Sequence, residues 1–413
     1  MRNQSVGRRV AYWREQRHIT QSDFGALMRK SRRWVQDLEG GLRQSDPRLS
    51  VLEQAAAVLQ VPLETLLRDV PRAQCRDRVE LNAVRAALQR HDVLTGTTAD
   101  ETVLLPADVL ERRLAHARSA FQSGHFASLG RLIPKLLIDT NHAVAHRRNA
   151  GCPSGFRLLS LVLELAQAVA IKYGDSNLAL TGSHRAVVAA ERSQDPVVIA
   201  SAARHLADAM IMHGQAHAAV SFALTAAQRL ESALRTRRAD GVSVLGMLYL
   251  KAAMAQAAIG ASDDRAAAAA ARTVACLLKQ ADKHAKELGT DGLNAMWTAF
   301  GTTNVRLHQV AAHVHLSQAA EAIAVANAIP DTALKALPKE RRAHFLADLA
   351  HGFTQVGNHT MAVNALLDAE NQAKEEVRRR PRTRQLVEKL RLLGTGSADR
   401  RLQALAMRCG LPG

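Results

Sequence analysis

Residues 20–41 read TQSDFGALMRKSRRWVQDLEGG, and the order of caps and apolar positions in that run predicts two short helices joined by a tight turn. Thr20 is a good N-cap and Asp23, three residues on, completes a capping box of the weaker Asp kind, so a helix starts at Gln21. Ser31 caps the second helix. Phe24, Gly25 and Leu27 face inward from the first helix, Val35 and Leu38 from the second, and Gly25 is small where the two cross closely. Arg32, Arg33, Gln36 and Asp37 are left on the outer face. Gly40 and Gly41 then end the helix, as glycine does just past a C-cap.

Such a pair is a helix-turn-helix, whose second helix presents its N-terminal residues to base edges. Over roughly residues 5–69 the register resembles the lambda-repressor-like, xenobiotic-response-element family of DNA-binding domains. The resemblance implies a five-helix head in which Gln21 and Ser31 hold phosphates, Arg32, Arg33 and Gln36 read bases, and Arg43 completes the DNA-binding set. It also implies a salt bridge between Arg14 and Glu39. Two residues depart from the family: Arg29 and Lys30 stand in the turn where it usually shows Gly and a buried Val.

Charge agrees with that reading. Residues 1–48 hold 11 Lys+Arg against 5 Asp+Glu, whereas the other 365 residues hold 44 against 33, so the head is about four times as positive per residue. Clustered cations release counterions from duplex phosphates, which supplies most non-specific affinity for DNA. The competing reading is a protein-binding adaptor or scaffold whose head is an interaction module.

Around the motif, Val6, Val10 and Trp13 predict a first helix over 5–17 that leaves Arg8, Arg9 and Arg17 for solvent or phosphate. Asp46 and Pro47 predict the start of a fourth helix with Leu52, Ala56 and Leu59 inward, and Pro62 opens a fifth through Leu67. Residues 1–70 thus form the DNA-binding domain. Residues 71–105 read as a linker, an amphipathic helix over 72–90 followed by a Thr-rich loop over 91–105.

The chain has 413 residues, 47% of them hydrophobic but only 3% aromatic, and this Ala- and Leu-rich mass favours packed helices throughout. The expected class is all-α. Cys75, Cys152, Cys276 and Cys409 make no metal-binding spacing and read as buried thiols. No apolar run follows Met1 and no stretch reads as a membrane span, so the expected location is the cytoplasm, at the nucleoid. No phosphate loop, HExxH, GxSxG or Cys/His arrangement stands out, and neither an enzyme nor a bound metal or cofactor is expected.

From residue 106 to 413 the helical pattern breaks at Gly124, Gly174, Gly214, Gly260, Ser317 and Gly357, with intervals of 50, 40, 46, 57 and 40 residues. Small or apolar residues flank Gly214 (Ala203, Ala207, Met210, then Ala219, Ala223, Ala226) and Gly357 (Leu346, Ala350, Phe353, then Ala362, Leu366, Ala369) at matching offsets. This is similar to the tetratricopeptide repeat in a degenerate form, its period stretched beyond the usual 34. A solenoid of such hairpins presents a concave face suited to peptides or protein segments.

The resemblance places groove-facing residues thirteen, ten and six before each turn. These include Glu111, Leu114 and Arg118; Leu161, Glu164 and Ala168; Ser201, Arg204 and Asp208; then Asn304, His344 and His351. The expected ligand set is Arg118, Glu164, Arg204, Asp208, Asn304 and His351, with Asn304 pairing a peptide backbone. Arg204 and Asp208 also read as a surface i,i+4 pair. The basic run at 377–390, VRRRPRTRQLVEKL, reads as a solvated helix end or a surface for DNA phosphates or an acidic partner. The whole layout resembles peptide-responsive regulators of Gram-positive bacteria and long actinobacterial regulators. It implies a transcriptional regulator that dimerises through its repeats and responds to a peptide or other effector by respacing two heads on DNA.

Overall fold

The computed structural model describes residues 6–16, 19–40, 47–59, 63–67, 72–90, 104–146, 153–262, 264–289, 291 and 295–411. Among these the protein is all-α, with no strand. Chain contacts divide it into two compact units, Met1–Cys75 and Arg76–Leu411.

The first unit contains α1 (Val6–Gln16), α2 (Gln21–Leu27), α3 (Arg32–Gly40), α4 (Leu49–Leu59) and α5 (Leu63–Leu67). Val10, Phe24, Met28, Val35, Leu38, Ala55, Leu59 and Leu66 share its core. Thr20 caps α2 by accepting from the Asp23 amide at 3.1 Å, and Ser31 caps α3 by accepting from the Trp34 amide at 3.2 Å. Leu27 does not face inward: it is 56% exposed, and Met28, one turn on from Phe24, takes the core position. Gly25 is small for the turn that follows it, since a Cβ there would lie 2.9 Å from the Lys30 carbonyl oxygen. Arg29, where the family usually has Gly, adopts φ +55°. Arg9 is not left for phosphate but is buried, its Nε donating to the Leu66 carbonyl at 2.6 Å at the end of α5. Pro47 precedes α4 rather than opening it, because the Val51 and Leu52 amides bond back to the Arg48 carbonyl.

A further helix, α6 (Arg72–Leu88), follows, and its Val84, Ala87 and Leu88 belong to the core of the second unit. There, α7 (Ala107–Gln122) pairs with α8 (Phe126–His146), α9 (Pro153–Tyr173) with α10 (Ser176–Ser193), and α11 (Pro196–Met212) with α12 (Ala216–Arg235). The next pairs are α13 (Arg238–Ser262) with α14 (Asp264–Leu288) and α15 (Thr302–His315) with α16 (Ala319–Asn327). Beyond α17 (Asp331–Ala336), α18 (Lys339–Gln355) pairs with α19 (His359–Gln372), then come α20 (Lys374–Arg379), α21 (Pro381–Leu393) and α22 (Asp399–Arg408).

Gly124, Gly174, Gly214, Ser317 and Gly357 all lie in hairpin turns with positive φ, Ser317 at +59°. Gly260 is no break. It sits inside α13, where a Cβ would meet Leu316 at 2.6 Å and Ala270 at 2.8 Å, so its smallness serves packing. Two helical stretches, Pro153–Tyr173 and Arg238–Ala261, prove long and apolar enough for a membrane span, with mean hydropathy 1.5 each. They are core helices, 72% and 78% buried, because each pairs with neighbours on nearly every side. Cys409 is buried but Cys276 is exposed on α14.

The stack does not remain open. Its last helices return to its first: Glu375 accepts from the Ala127 amide at 2.7 Å, and Arg379 donates to Glu80 at 3.0 Å and to the Tyr173 hydroxyl at 2.8 Å. Gly124 and Gly174 give the backbone clearance for this closure, since Cβ atoms there would lie 2.6 Å from Ala373 and 2.5 Å from Pro381. The concave groove is thereby closed into a central cavity.

Candidate functional site

Two candidate surfaces emerge, one in each unit. In the first, Arg32, Arg33 and Gln36 are exposed on α3. The opposite face of that helix is fixed by Val35 and Leu38 in the core. A chain of hydrogen bonds runs inward from it: Gln36 Nε2 donates to Gln21 Oε1 at 3.3 Å, and Gln21 Nε2 to Glu39 Oε2 at 2.8 Å. Glu39 in turn takes Arg14 Nε at 2.6 Å and Nη2 at 3.0 Å, both side chains being buried. Hydrogen bonding to Glu39 holds the Arg14 guanidinium above its ordinary value. The implied Arg14–Glu39 bridge is therefore present and braces α1 against α3. Gln21 keeps one amide hydrogen for a phosphate, and Ser31, an exposed cap, can still donate its hydroxyl. Arg43 lies outside the described residues.

In the second unit the cavity holds about 540 Å³. It is lined by the first helix of successive hairpins, α7, α9, α11, α13, α15 and α18, and by α21 on the closing side. Its volume is that of a small-molecule site, which falls at roughly 300–1,000 Å³. The walls combine apolar Ile171, Met212, Met254, Leu307 and Phe345 with an unusual density of charge. Lys172 is held by Glu340 and by Glu376 at 2.8 Å, Lys251 by Asp208 at 2.9 Å, Arg380 by Glu376 at 2.6 Å, and Arg382 by Asp348 at 3.6 Å. Arg118 meets fully buried Glu164 at 3.2 Å and lies 5.0 Å from the centre of the Trp297 ring.

Burial works against these charges. It raises Glu164 against the pull of Arg118 and Arg204, and it lowers Arg204 to about 10. His205, His308 and His344 are held well below their ordinary value, first by burial and then by neighbouring cations such as Arg204, Lys251 and Arg380. His315 is lowered to about 4 by burial and Arg382. At neutral pH the histidines are uncharged, and the cavity's charge is carried by its arginines, lysines and carboxylates.

Of the expected ligand set, Arg118, Arg204 and Asp208 reach this cavity, as does His344. Glu164 lies behind it, fully buried beneath Arg118 with the Ser201 hydroxyl at 2.9 Å. Asn304 is not on the surface of the groove: it is 0% exposed, and its Nδ2 donates to the Thr298 carbonyl at 3.2 Å. The first turn of α15 is sunk against α13, so the amide serves the wall. His351 is mostly buried beside Arg382 and His315 without lining the cavity. Arg204 and Asp208 do not pair with each other. Arg204 donates to the Met296 carbonyl at 3.1 Å, and Asp208 turns to Lys251.

In the run at 377–390, which reads as a solvated helix end, four arginines turn instead to internal partners or the cavity. Arg378 pairs with Glu370 at 2.7 Å, Arg379 with Glu80 and Arg380 with Glu376, while Arg382 faces the cavity. Lys251, Trp297 and Arg341 were missed in the sequence. A lone lysine within the apolar run LGMLYLKAAMAQ was a usable signal for the first; Trp297 and Arg341 have no comparable mark. Glu340, His344 and Glu376 bring potential metal-ligand atoms within 4.8 Å of one another, but Lys172 already places its ammonium between the two carboxylates.

No family model and no curated protein matches the chain. A solved structure, that of Bacillus thuringiensis PlcR in complex with the peptide PapR7 and DNA, aligns with 69% of this chain and 98% of its own at 12% identity and a TM-score of 0.28. A likeness that low adds nothing to the geometry above.

Proposed function

We propose that the protein is a sequence-specific DNA-binding transcriptional regulator whose second unit binds an effector. The observation that carries this reading is the outer face of α3, where Arg32, Arg33 and Gln36 are exposed while the helix is braced from beneath by Gln21, Glu39 and Arg14. In this reading α3 enters the major groove, Arg32 and Arg33 contact guanine edges, and Gln21, Ser31 and Arg43 hold phosphates. Two copies of the chain bind half-sites about 34–36 Å apart, with dimer contacts made by the repeats. An effector in the cavity acts by binding two dimer states unequally, at about 1.4 kcal/mol per tenfold change in operator affinity.

Selection of bound fragments by the full-length protein, followed by titration of the selected site, tests the reading. Arg32→Ala should lose about 1–3 kcal/mol of discrimination at one position of each half-site, whereas Gln21→Ala should weaken all sequences alike. Unchanged base preference in both Arg32→Ala and Arg33→Ala would remove the DNA-reading role. Sedimentation of the protein on its site checks the dimer, and a monomer on an asymmetric site would refute it.

A further inference from the structure

The cavity lining is overbalanced in positive charge, and the excess is localised. Among the described residues, every lining cation but two is ion-paired to a carboxylate. Arg204 is almost fully buried yet donates only to one backbone carbonyl, with its Nε unpartnered. Arg341 lines the cavity with no hydrogen-bond or ion-pair partner among the described residues, and its charge is felt by Arg204, Lys251, His308 and Glu340 around it. Guanidinium groups without a directly paired carboxylate are costly in a partly desolvated space unless an anion meets them. Arg118 leaves its Nε unpartnered as well, and its charge is felt by Arg204.

A second feature converges on the same point. The strap between α14 and α15 carries three non-glycine residues in the left-handed region, Met296 at φ +56°, Trp297 at +52° and Ala299 at +46°. Backbone strain of this kind collects at ligand clamps. Arg204 holds the strap through the Met296 carbonyl, and the strap sets Trp297 in the cavity wall with Arg118 over its ring. A flat apolar surface and forked donors thus stand side by side.

We infer that the cavity binds a small organic anion, a carboxylate or phosphate head taken by Arg204 and Arg341 and an apolar or aromatic body laid against Trp297, Met254 and Leu307. This rests on the effector role proposed for the second unit and gives that effector a chemical class. Guanidinium forks suit either head group, since both accept two parallel N–H bonds.

Calorimetric titration of the full-length protein with 1-naphthyl phosphate, 1-naphthoate and neutral 1-naphthol tests it. The two anions should bind once per chain and the alcohol at least tenfold more weakly, and the stronger anion identifies the head group. Arg341→Gln, which removes no internal partner, should weaken the anions at least tenfold, and Arg341→Lys should restore part of the loss. Helical melting by circular dichroism verifies that both variants fold. Equal binding of 1-naphthol, unchanged binding by folded Arg341→Gln, or no binding of either anion at millimolar concentration would overturn the assignment. Operator affinity in the same samples separates the two levels: anion binding that depends on Arg341 but leaves DNA affinity unmoved supports the site and removes its effector role.

Discussion

Two arginine-rich stretches in this chain meet opposite fates. Residues 29–33, RKSRR, put Arg32 and Arg33 on the exposed face of α3, while residues 378–384, RRRPRTR, are folded into ion pairs and a cavity wall. The second stretch carries more charge in total, five arginines against four cations. Acids both near in sequence, Glu370 and Glu376, and far from it, Glu80 and Asp348, converge on it, whereas no ion pair joins Arg32 or Arg33 to another described residue. Positive charge therefore marks a nucleic-acid surface only where the fold leaves it without internal anions.

The largest expected effect probes the inward-facing charges. Glu164→Ala leaves Arg118 buried without its anion and removes a carboxylate whose charge Arg204 feels, and should cost about 3–5 kcal/mol, read as a lower urea midpoint for the second unit. An effect below about 1 kcal/mol would mean that water reaches these charges as it does at an ordinary surface pair.

Next is the closure that buries the basic run. Gly174→Ala combines a positive φ of +80° with a Cβ 2.5 Å from Pro381 and should cost about 2–4 kcal/mol, against about 1–2 kcal/mol for Gly214→Ala, at φ +83° with nothing within 4 Å. Equal costs would show that the closing contact yields easily.

Acid should then separate the two units. His315 and His351 titrate near 4 and 3 in the folded chain, lowered by burial and by Arg382. The unfolded values lie near 6.5, so below that pH the unfolded chain binds protons that the folded chain refuses. Their contribution is fully present above about pH 6.5 and is lost as pH falls toward 4, on the order of 1 kcal/mol for each at about pH 5.5. The sole histidine of the first unit's sequence is His18. Urea unfolding at both pH values should show loss in the second unit and little in the first; a parallel loss would place the sensitivity elsewhere.

The smallest effect returns to the two stretches. Arg33→Ala should relax base preference at one position of the site, while Arg378→Ala, whose guanidinium is engaged with Glu370, should leave both base preference and the salt slope unchanged. A reduced slope in Arg378→Ala would put the second stretch on DNA after all.

Much of the fold was legible because it rests on local signals. Thr20 and Ser31 act as caps over three residues, and five of the six positions read as breaks fall in hairpin turns, each with positive φ. Gly260 misled because a small residue at a helix crossing and one in a turn look alike in sequence. In the cavity, Arg118 and Arg204 were found from their distance to the turns, but Asn304 was not where that offset placed it, since depth within the wall depends on how α15 packs on α13.

By itself, then, the sequence determined what short-range chemistry controls: the helical class, the helix-turn-helix with its outward arginines, and the hairpin turns, each set by residues within one or two turns of one another. Tertiary structure alone decided that the repeats close on themselves, that Arg379 meets Glu80 and Lys172 meets Glu376, and that Arg341 lines the cavity without an ion pair among the described residues. Those pairings join residues about two hundred to three hundred positions apart. Their energy depends on how much water the fold removes from around each charge, a quantity no local pattern encodes.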